Sequence, residues 1–283
     1  MKKQQIRRDR GTGARIIPWI CAAVIFFLGA VYLMIQHPQT KHETIKELMR
    51  DAVLHESGKI SLFGIKDVNP ALISAITITV AVLVIAACIR IFVIPRFRYV
   101  PGRFQLLLEQ WVSLFDGLAK SNSPHRNGFL GAYLFAAGSY IFISTLYELF
   151  GFQGITTAGT SIALPAPLSD INAAIAMGCL SYLIILSGGI AGNGLRGVGK
   201  TLKDFSLPIS MSFRLFGALL SGLLVTELVY YYINLSFVLP VAVGVLFTLL
   251  HALIQAYVLT MLTALFYGEV SDPQQKSAKK KKS

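Results

Sequence analysis

The sequence predicts an all-α integral membrane protein with about six membrane-embedded helices, and three observations carry that prediction. Of its 283 residues, 54% are hydrophobic, and the mean hydropathy is +0.61. Only 14% are charged, against about 25% in soluble globular domains. The apolar residues gather into runs long enough to cross a hydrocarbon core, which takes about 20 residues in a helix.

The runs fall at 16–36, 70–95, 128–150, 171–192, 205–232 and 238–267. The first has a long apolar core with no A-x-A cleavage site after it, so it is expected to be an uncleaved anchor rather than a signal peptide. The last two are longer than one perpendicular crossing needs and are joined by a short turn near Asn234. They predict a long, tilted antiparallel hairpin. The stretch 104–118, FQLLLEQWVSLFDGL, is amphipathic at helical period, with Leu106, Leu107, Trp111, Leu114, Phe115 and Leu118 on one side. That pattern predicts a helix lying on the cytoplasmic surface of the membrane.

Charge sets the orientation. The formal net charge of +12 is confined to the termini and short loops, which excludes a nucleic-acid partner. Lys and Arg fill the N-terminal MKKQQIRRDR, the segment 96–127, the 193–204 loop and the tail KSAKKKKS. They are absent from 151–170 and 233–237. This alternation places both termini in the cytoplasm. The expected organisation is a basic N-terminus 1–15, an extra N-terminal transmembrane helix 16–36, an extracytoplasmic segment 37–69, a membrane domain 70–270 and a polybasic tail 271–283. The cysteines Cys21, Cys88 and Cys179 lie inside apolar runs with no metal-ligand spacing, and no metal or cofactor is expected.

The stretch Gly194–Thr201, GLRGVGKT, fits the phosphate-binding pattern G-x-x-x-x-G-K-[ST]. A working loop of that kind joins a strand to a helix N-terminus and cradles phosphate with its backbone N–H groups. Here the preceding residues, LSYLIILSGGIAG, end a membrane helix. The match is therefore expected to be fortuitous, with no nucleotide bound.

The informative residues are the polar ones inside apolar runs, because an ionised group at the bilayer centre costs a few kcal/mol on insertion scales. Arg214 is the only charge between Asp204 and Glu227. A guanidinium stays protonated, so it cannot relay a proton. It can draw a mobile carboxylate into its ionised form and block leakage past itself. A static pair with Glu148 or Glu227 is the competing reading. His251 and Gln255 share a face one turn apart, and histidine titrates near neutral pH. Glu148 lies near the outer end of its helix. Small residues Gly217, Ala218, Ser221 and Gly222 follow Arg214 and make a smooth stripe that permits close approach of another helix.

SMSFRLFG, followed by LLHALIQAYVLTMLTALFYGE, resembles the last two helices of subunit a of F-type ATP synthases, with their S-x-x-x-R-L-F-G-N and I-Q-A-x-x-F-x-x-L-T segments. VPGRFQLLLEQWV resembles that family's surface helix, and LSDINAAIAM its P-x-A-D-x-N helix opening. The resemblance covers about residues 68–270, and the run 16–36 looks like an addition to the usual plan.

It implies a non-catalytic stator subunit of the F0 sector in a bacterial inner membrane. Its partners would be the c-ring, subunit b of the peripheral stalk, the other ATP synthase subunits and lipid. Two half-channels would deliver protons to a c-ring carboxylate, with H+ as the implied ion and Na+ decided by subunit c.

The essential arginine would be Arg214 and the last-helix glutamine Gln255. Glu148, Asp170 and Asn172 would line the outer half-channel. Gly217, Ala218, Ser221 and Gly222 would pack on the c-ring.

Departures mark a divergent member. Ala218 replaces the Asn of R-L-F-G-N, Leu223 an acidic residue, Thr248 a Glu or His, and Thr145 the Asn of an Asn-Leu element. Glu227 and His251 lie one turn from Leu223 and Thr248 and could supply the lost polar groups. A degenerate, non-conducting homologue with an assembly role is the alternative.

Overall fold

The structure, a computed structural model, describes residues 60–62, 65–125, 127–155, 161–231 and 239–272. The expected first helix, 16–36, the turn near Asn234 and the polybasic tail lie outside the described residues. Seven α-helices are described: α1 (Pro70–Cys88), α2 (Arg103–Asn122), α3 (Gly128–Leu146), α4 (Ile171–Asn193), α5 (Leu195–Lys203), α6 (Ser206–Tyr231) and α7 (Leu239–Ser271). Among the described residues, four spans are long and apolar enough to cross a membrane: Pro70–Arg96, Gly128–Phe150, Ile171–Asn193 and Gly244–Ser271. A fifth is formed if α5 and α6, bent 50° at a short break, count as one span.

Each helix starts where its sequence allows it to. Asn69 caps α1, its Oδ1 accepting from Ala71 N at 2.9 Å, and Pro70 fills the first position, where no N–H is needed. Past Cys88 the helix loosens into a π-turn, Ile89–Val93, then a 3-10 turn, Ile94–Arg96. Pro95 cannot donate the next helical bond, and it lies in the 3-10 turn that closes the span. Asp170 caps α4 by accepting from Asn172 N at 2.7 Å.

Two features differ from the sequence expectation. The 193–204 stretch, expected as a loop, is largely the helix α5. Two short antiparallel ladders also add strands to an otherwise helical chain. β1 (Ile60–Leu62) pairs with β2 (Ile65–Val68), and β3 (Gln153–Ile155) with β4 (Ser161–Ala163) in the register Gly154↔Ile162. Strands this short carry no periodicity for a sequence reading to detect.

The bundle is held by close backbone approach. A β-carbon on Gly178 would strike Ser212 Oγ, and one on Gly197 would strike the Gly189 carbonyl. One on Gly188 would meet the Tyr267 ring. Small residues do this work in membranes because lipid gives apolar side chains no reason to leave it. The buried cluster centres on Leu130, Leu134, Ile141, Ile185, Met211 and Leu215.

The α2 face splits. Trp111 donates to Ser139 Oγ at 2.9 Å, and Phe115 meets Phe135 edge-on. Leu106, Leu107 and Leu114 stay exposed.

Directions follow from the contacts. Gly189 lies against Gly197 while Gly178 lies against Pro208 and Ser212, so α4 runs antiparallel to α5 and α6. Gly188 meets Tyr267 and Gly192 meets Ser271, so α4 and α7 run parallel. α6 and α7 are therefore antiparallel.

Packing this tight predicts a contrast within α5. Gly197→Ala should destabilise the folded subunit by about 1–3 kcal/mol, because the new methyl meets backbone. Gly199→Ala, with open space around it, should stabilise by about 1 kcal/mol through helix propensity. Thermal unfolding in detergent, followed by loss of the intact chain on gel filtration, separates the two.

Candidate functional site

Arg214 sits in the third turn of α6 and is exposed, while its neighbour Leu215 is buried in the core. It makes no hydrogen bond or ion pair with any described residue. Gly217 and Ser221, three and seven residues on, are exposed on the same face. Nothing lies within 4 Å of a β-carbon built on Gly217, and Ser221 Oγ turns back to the Ala218 carbonyl at 2.8 Å. Ala218 and Gly222 are half-buried toward α7. Of the four residues of the expected packing stripe, Gly217 and Ser221 are thus open and Ala218 and Gly222 partly covered.

Gln255 lies on α7 and is 5% exposed. It makes no side-chain hydrogen bond with the described residues. His251, one turn earlier, is half-buried. Its Nδ1 donates to the Phe247 carbonyl at 2.9 Å, and its ring lies 5.8 Å from the Phe247 ring.

A β-carbon on Gly222 would lie 3.8 Å from His251 Nδ1, which fixes the register of α6 and α7. Stepping one turn along each antiparallel helix brings Ala218 level with Gln255. Arg214 lies about one turn beyond.

Glu227 is on α6 more than a turn past Gly222, so it is not level with His251. Its side chain lies outside the described residues.

Glu148 is half-buried on the 3-10 turn Tyr147–Phe150 that ends the span begun by α3. Asp170 is half-buried and Asn172 exposed, both at the start of α4. The structure adds a residue that sequence reading missed. Asn69 Nδ2 donates to Asp170 Oδ2 through a short hydrogen bond across 101 residues. Asp170 Oδ1 meanwhile accepts from Asn172 N. One carboxylate thus joins the caps of α1 and α4. Asn-Pro at 69–70 signals the cap in the sequence, but nothing there signals the link to Asp170.

The site residues therefore form two groups. Arg214, Gln255 and His251 line the α6–α7 pair with the small-residue stripe. Asp170 and Asn172 gather with Asn69 at the heads of α4 and α1.

The phosphate-loop pattern resolves into packing. Leu195–Lys203 is helical and follows a helix instead of a strand. Gly197 lies on Gly189, Thr201 is buried and donates to the Gly197 carbonyl at 3.0 Å, and Lys200 Nζ donates to the Glu269 carbonyl at 2.6 Å. Among the described residues, no group of three or more His, Cys, Asp or Glu gathers in a way that could hold a metal ion.

Removing the Asn69 side chain takes away both the α1 cap and a bond to a carboxylate. Asn69→Ala should lower stability by about 1–2 kcal/mol. Asn69→Asp keeps the cap but opposes two carboxylates, and should be no more stable than Asn69→Ala. Chemical unfolding of the purified subunit in detergent ranks the three.

The model of one family, ATP synthase A chain, matches residues 73–268. Among curated proteins, ATP synthase subunit a of Histophilus somni strain 2336 is 28% identical over 203 residues, covering 59% of this chain and 76% of that protein. The same subunit from strain 129Pt is 27% identical over the same length. The match takes in the spans from Pro70 to Ser271 almost whole, Arg214 and Gln255 among them. With its low identity and its apolar spans, the chain is a multi-pass membrane protein that belongs to the ATP synthase A chain family as a divergent member.

Proposed function

We propose that this chain is the ion-translocating stator subunit of a rotary F-type ATP synthase, with Arg214 as the fixed charge facing the c-ring. One observation carries the reading. A permanent cation stands exposed on a membrane helix, on the same face as a smooth stripe of small residues, and no described residue neutralises it. Such a charge facing lipid costs a few kcal/mol. A carboxylate brought by another subunit removes that cost, and Gly217 and Ser221 let its helix come close. Gln255, about one turn from the level of Arg214 and with no side-chain hydrogen bond to a described residue, is placed to hydrogen-bond the same carboxylate.

In this reading a proton reaches the c-ring carboxylate through one half-channel and neutralises it, releasing it from Arg214. The ring turns, and the proton leaves through the other half-channel. Arg214 blocks direct passage between the two. One charge crossing 100 mV gains about 2.3 kcal/mol, so several must cross for each ATP made. Bond chemistry belongs to other subunits, and this chain is not itself an enzyme. Glu148, Asp170 and Asn172 line the outer half-channel. Glu227 and His251 stand in for the polar groups lost at Leu223 and Thr248.

The Lys and Arg distribution supports cytoplasmic termini, with α2 lying on the cytoplasmic face and α6–α7 forming the tilted hairpin against the ring. The ion is H+, the membrane a bacterial inner membrane, and the partners are the c-ring, subunit b and the rest of the complex. Ala218 and Leu223, in place of an Asn and an acidic residue, favour a second reading in which the chain binds the ring without conducting.

ATP-driven proton pumping in vesicles carrying the complex separates the readings. Arg214→Ala should reduce pumping to background while ATP hydrolysis by the soluble sector survives. Unchanged pumping would make Arg214 a structural ion. The substituted lining has its own test: Glu227→Gln and His251→Ala should each slow pumping, and full pumping in both variants would remove these residues from the ion path.

A further inference from the structure

The C-terminus of α7 is tied to three other elements. Lys200 Nζ on α5 donates to the Glu269 carbonyl at 2.6 Å and lies 3.8 Å from Glu269 Oε1. Asn193 Nδ2, at the end of α4, donates to the Val270 and Asp272 carbonyls, each at 2.9 Å. His125 Nε2, ahead of α3, lies 3.1 Å from Asp272 Oδ1. The last four carbonyls of a helix have no partners within it. Two of those at the end of α7 are taken by side chains from other helices, and an ammonium at a helix C-terminus is also favoured by the macrodipole.

The tie has a geometric consequence for the ion site. Lys200 lies fourteen residues before Arg214, and Glu269 lies fourteen residues after Gln255. At 1.5 Å per residue each arm is about 21 Å long. The arms run antiparallel from a common tie, so they bring Arg214 and Gln255 to the same depth to within about a turn. The 50° bend between α5 and α6 shortens one arm. Gly222 beside His251 reports the same register from the other side. The α6 arm is the one that needs a tie, because it passes through a bend at Asp204–Phe205 where no regular helix holds its axis.

We propose that Lys200, together with Asn193, is a positioning element that sets the axial register of the Arg214 helix against the Gln255 helix. Neither residue touches the translocated ion. They act by pinning the end of α7 to the start of the α5–α6 arm. The proposal rests on the functional reading of Arg214 and Gln255 given above.

The assembled complex in membrane vesicles gives two readouts. The first is protons pumped per ATP hydrolysed. The second is register, read as the yield of a short bis-methanethiosulfonate cross-link between Gly222→Cys and His251→Cys in a chain lacking Cys21, Cys88 and Cys179.

Lys200→Met should lower the pumping ratio by about tenfold, since a misplacement of an ångström at a reacting centre costs up to about a hundredfold. It should also lower the cross-link yield, and Lys200→Arg should restore both. Glu269→Gln should change neither, because the tie is to the backbone carbonyl and an exposed ion pair at this distance contributes little. Wild-type values of both readouts in Lys200→Met overturn the proposal, as does lost coupling with an unchanged cross-link.

If Lys200→Met does not assemble, Asn193→Ala is measured instead, and wild-type register and coupling there overturn the proposal equally. Arg214→Ala in parallel separates the two ideas. Its full pumping would sink the functional reading, whereas its loss of pumping beside a normal Lys200→Met would sink only this one.

Discussion

The arrangement turns on a charge that no described residue neutralises. Arginine keeps its proton at any pH the protein meets. It stands in the third turn of an apolar helix, on the side away from the core, and in the function proposed here it meets the carboxylate of a neighbouring subunit. Leu215, the next residue, is buried at 1% exposure, so the helix cannot rotate Arg214 inward without turning out its own core contact. The stripe of Gly217 and Ser221 keeps the adjoining surface flat. The rest of the bundle serves to hold that face at a fixed height and angle.

It does so with little help from the hydrophobic effect, which is weak between helices already in lipid. Backbones approach at Gly178, Gly188, Gly189 and Gly197 until a single added methyl would collide. Hydrogen bonds between helices add direction, as where Tyr133 meets Ser181 Oγ at 2.8 Å and Trp111 meets Ser139. Helix ends are tied to other helices instead of to water: Asn69 to Asp170 at one end of the bundle, Lys200 and Asn193 to α7 at the other. A bundle built this way resists sliding of one helix past another, the motion that would most disturb the level of Arg214 against Gln255.

Much of this was legible in the sequence, because hydropathy length and polar exceptions are strong signals in a membrane chain. The spans from Pro70 to Ser271 begin and end within a few residues of the apolar runs. Arg214 and Gln255 stood out by residue type and by resemblance. Other features left no such trace. The helix Leu195–Lys203 is short and basic, so its composition looks like a loop, and its two glycines, Gly197 and Gly199, argue against a helix on propensity. Its stability comes from contact with Gly189 and α7, which a linear pattern cannot show. Of the residues that imitate a phosphate loop, Lys200 caps the end of α7 and Thr201 is buried in packing, while Gly194 and Gly199 have open space around them. The Asn69–Asp170 link joins positions 101 residues apart, and only the fold brings them together.

The attachment of α1 has a mechanical consequence. Its buried residues, Pro70, Ala71, Ser74 and Ile78, all lie in the first nine of the helix. From Thr79 to Arg96 no described residue is buried. A rod clamped at its root, with no described residue covering the rest of its length, is a cantilever. The free length from Ile78 to Arg96 is about 27 Å, so a tilt of about 5° at Ile78 swings the far end by about 2 Å. Arg90, Arg96 and Arg98 sit toward that far end and move with it. Whatever binds them in the assembled membrane works on the lever at its tip, and it feels the stiffness of one small knot of hydrogen bonds at the opposite face.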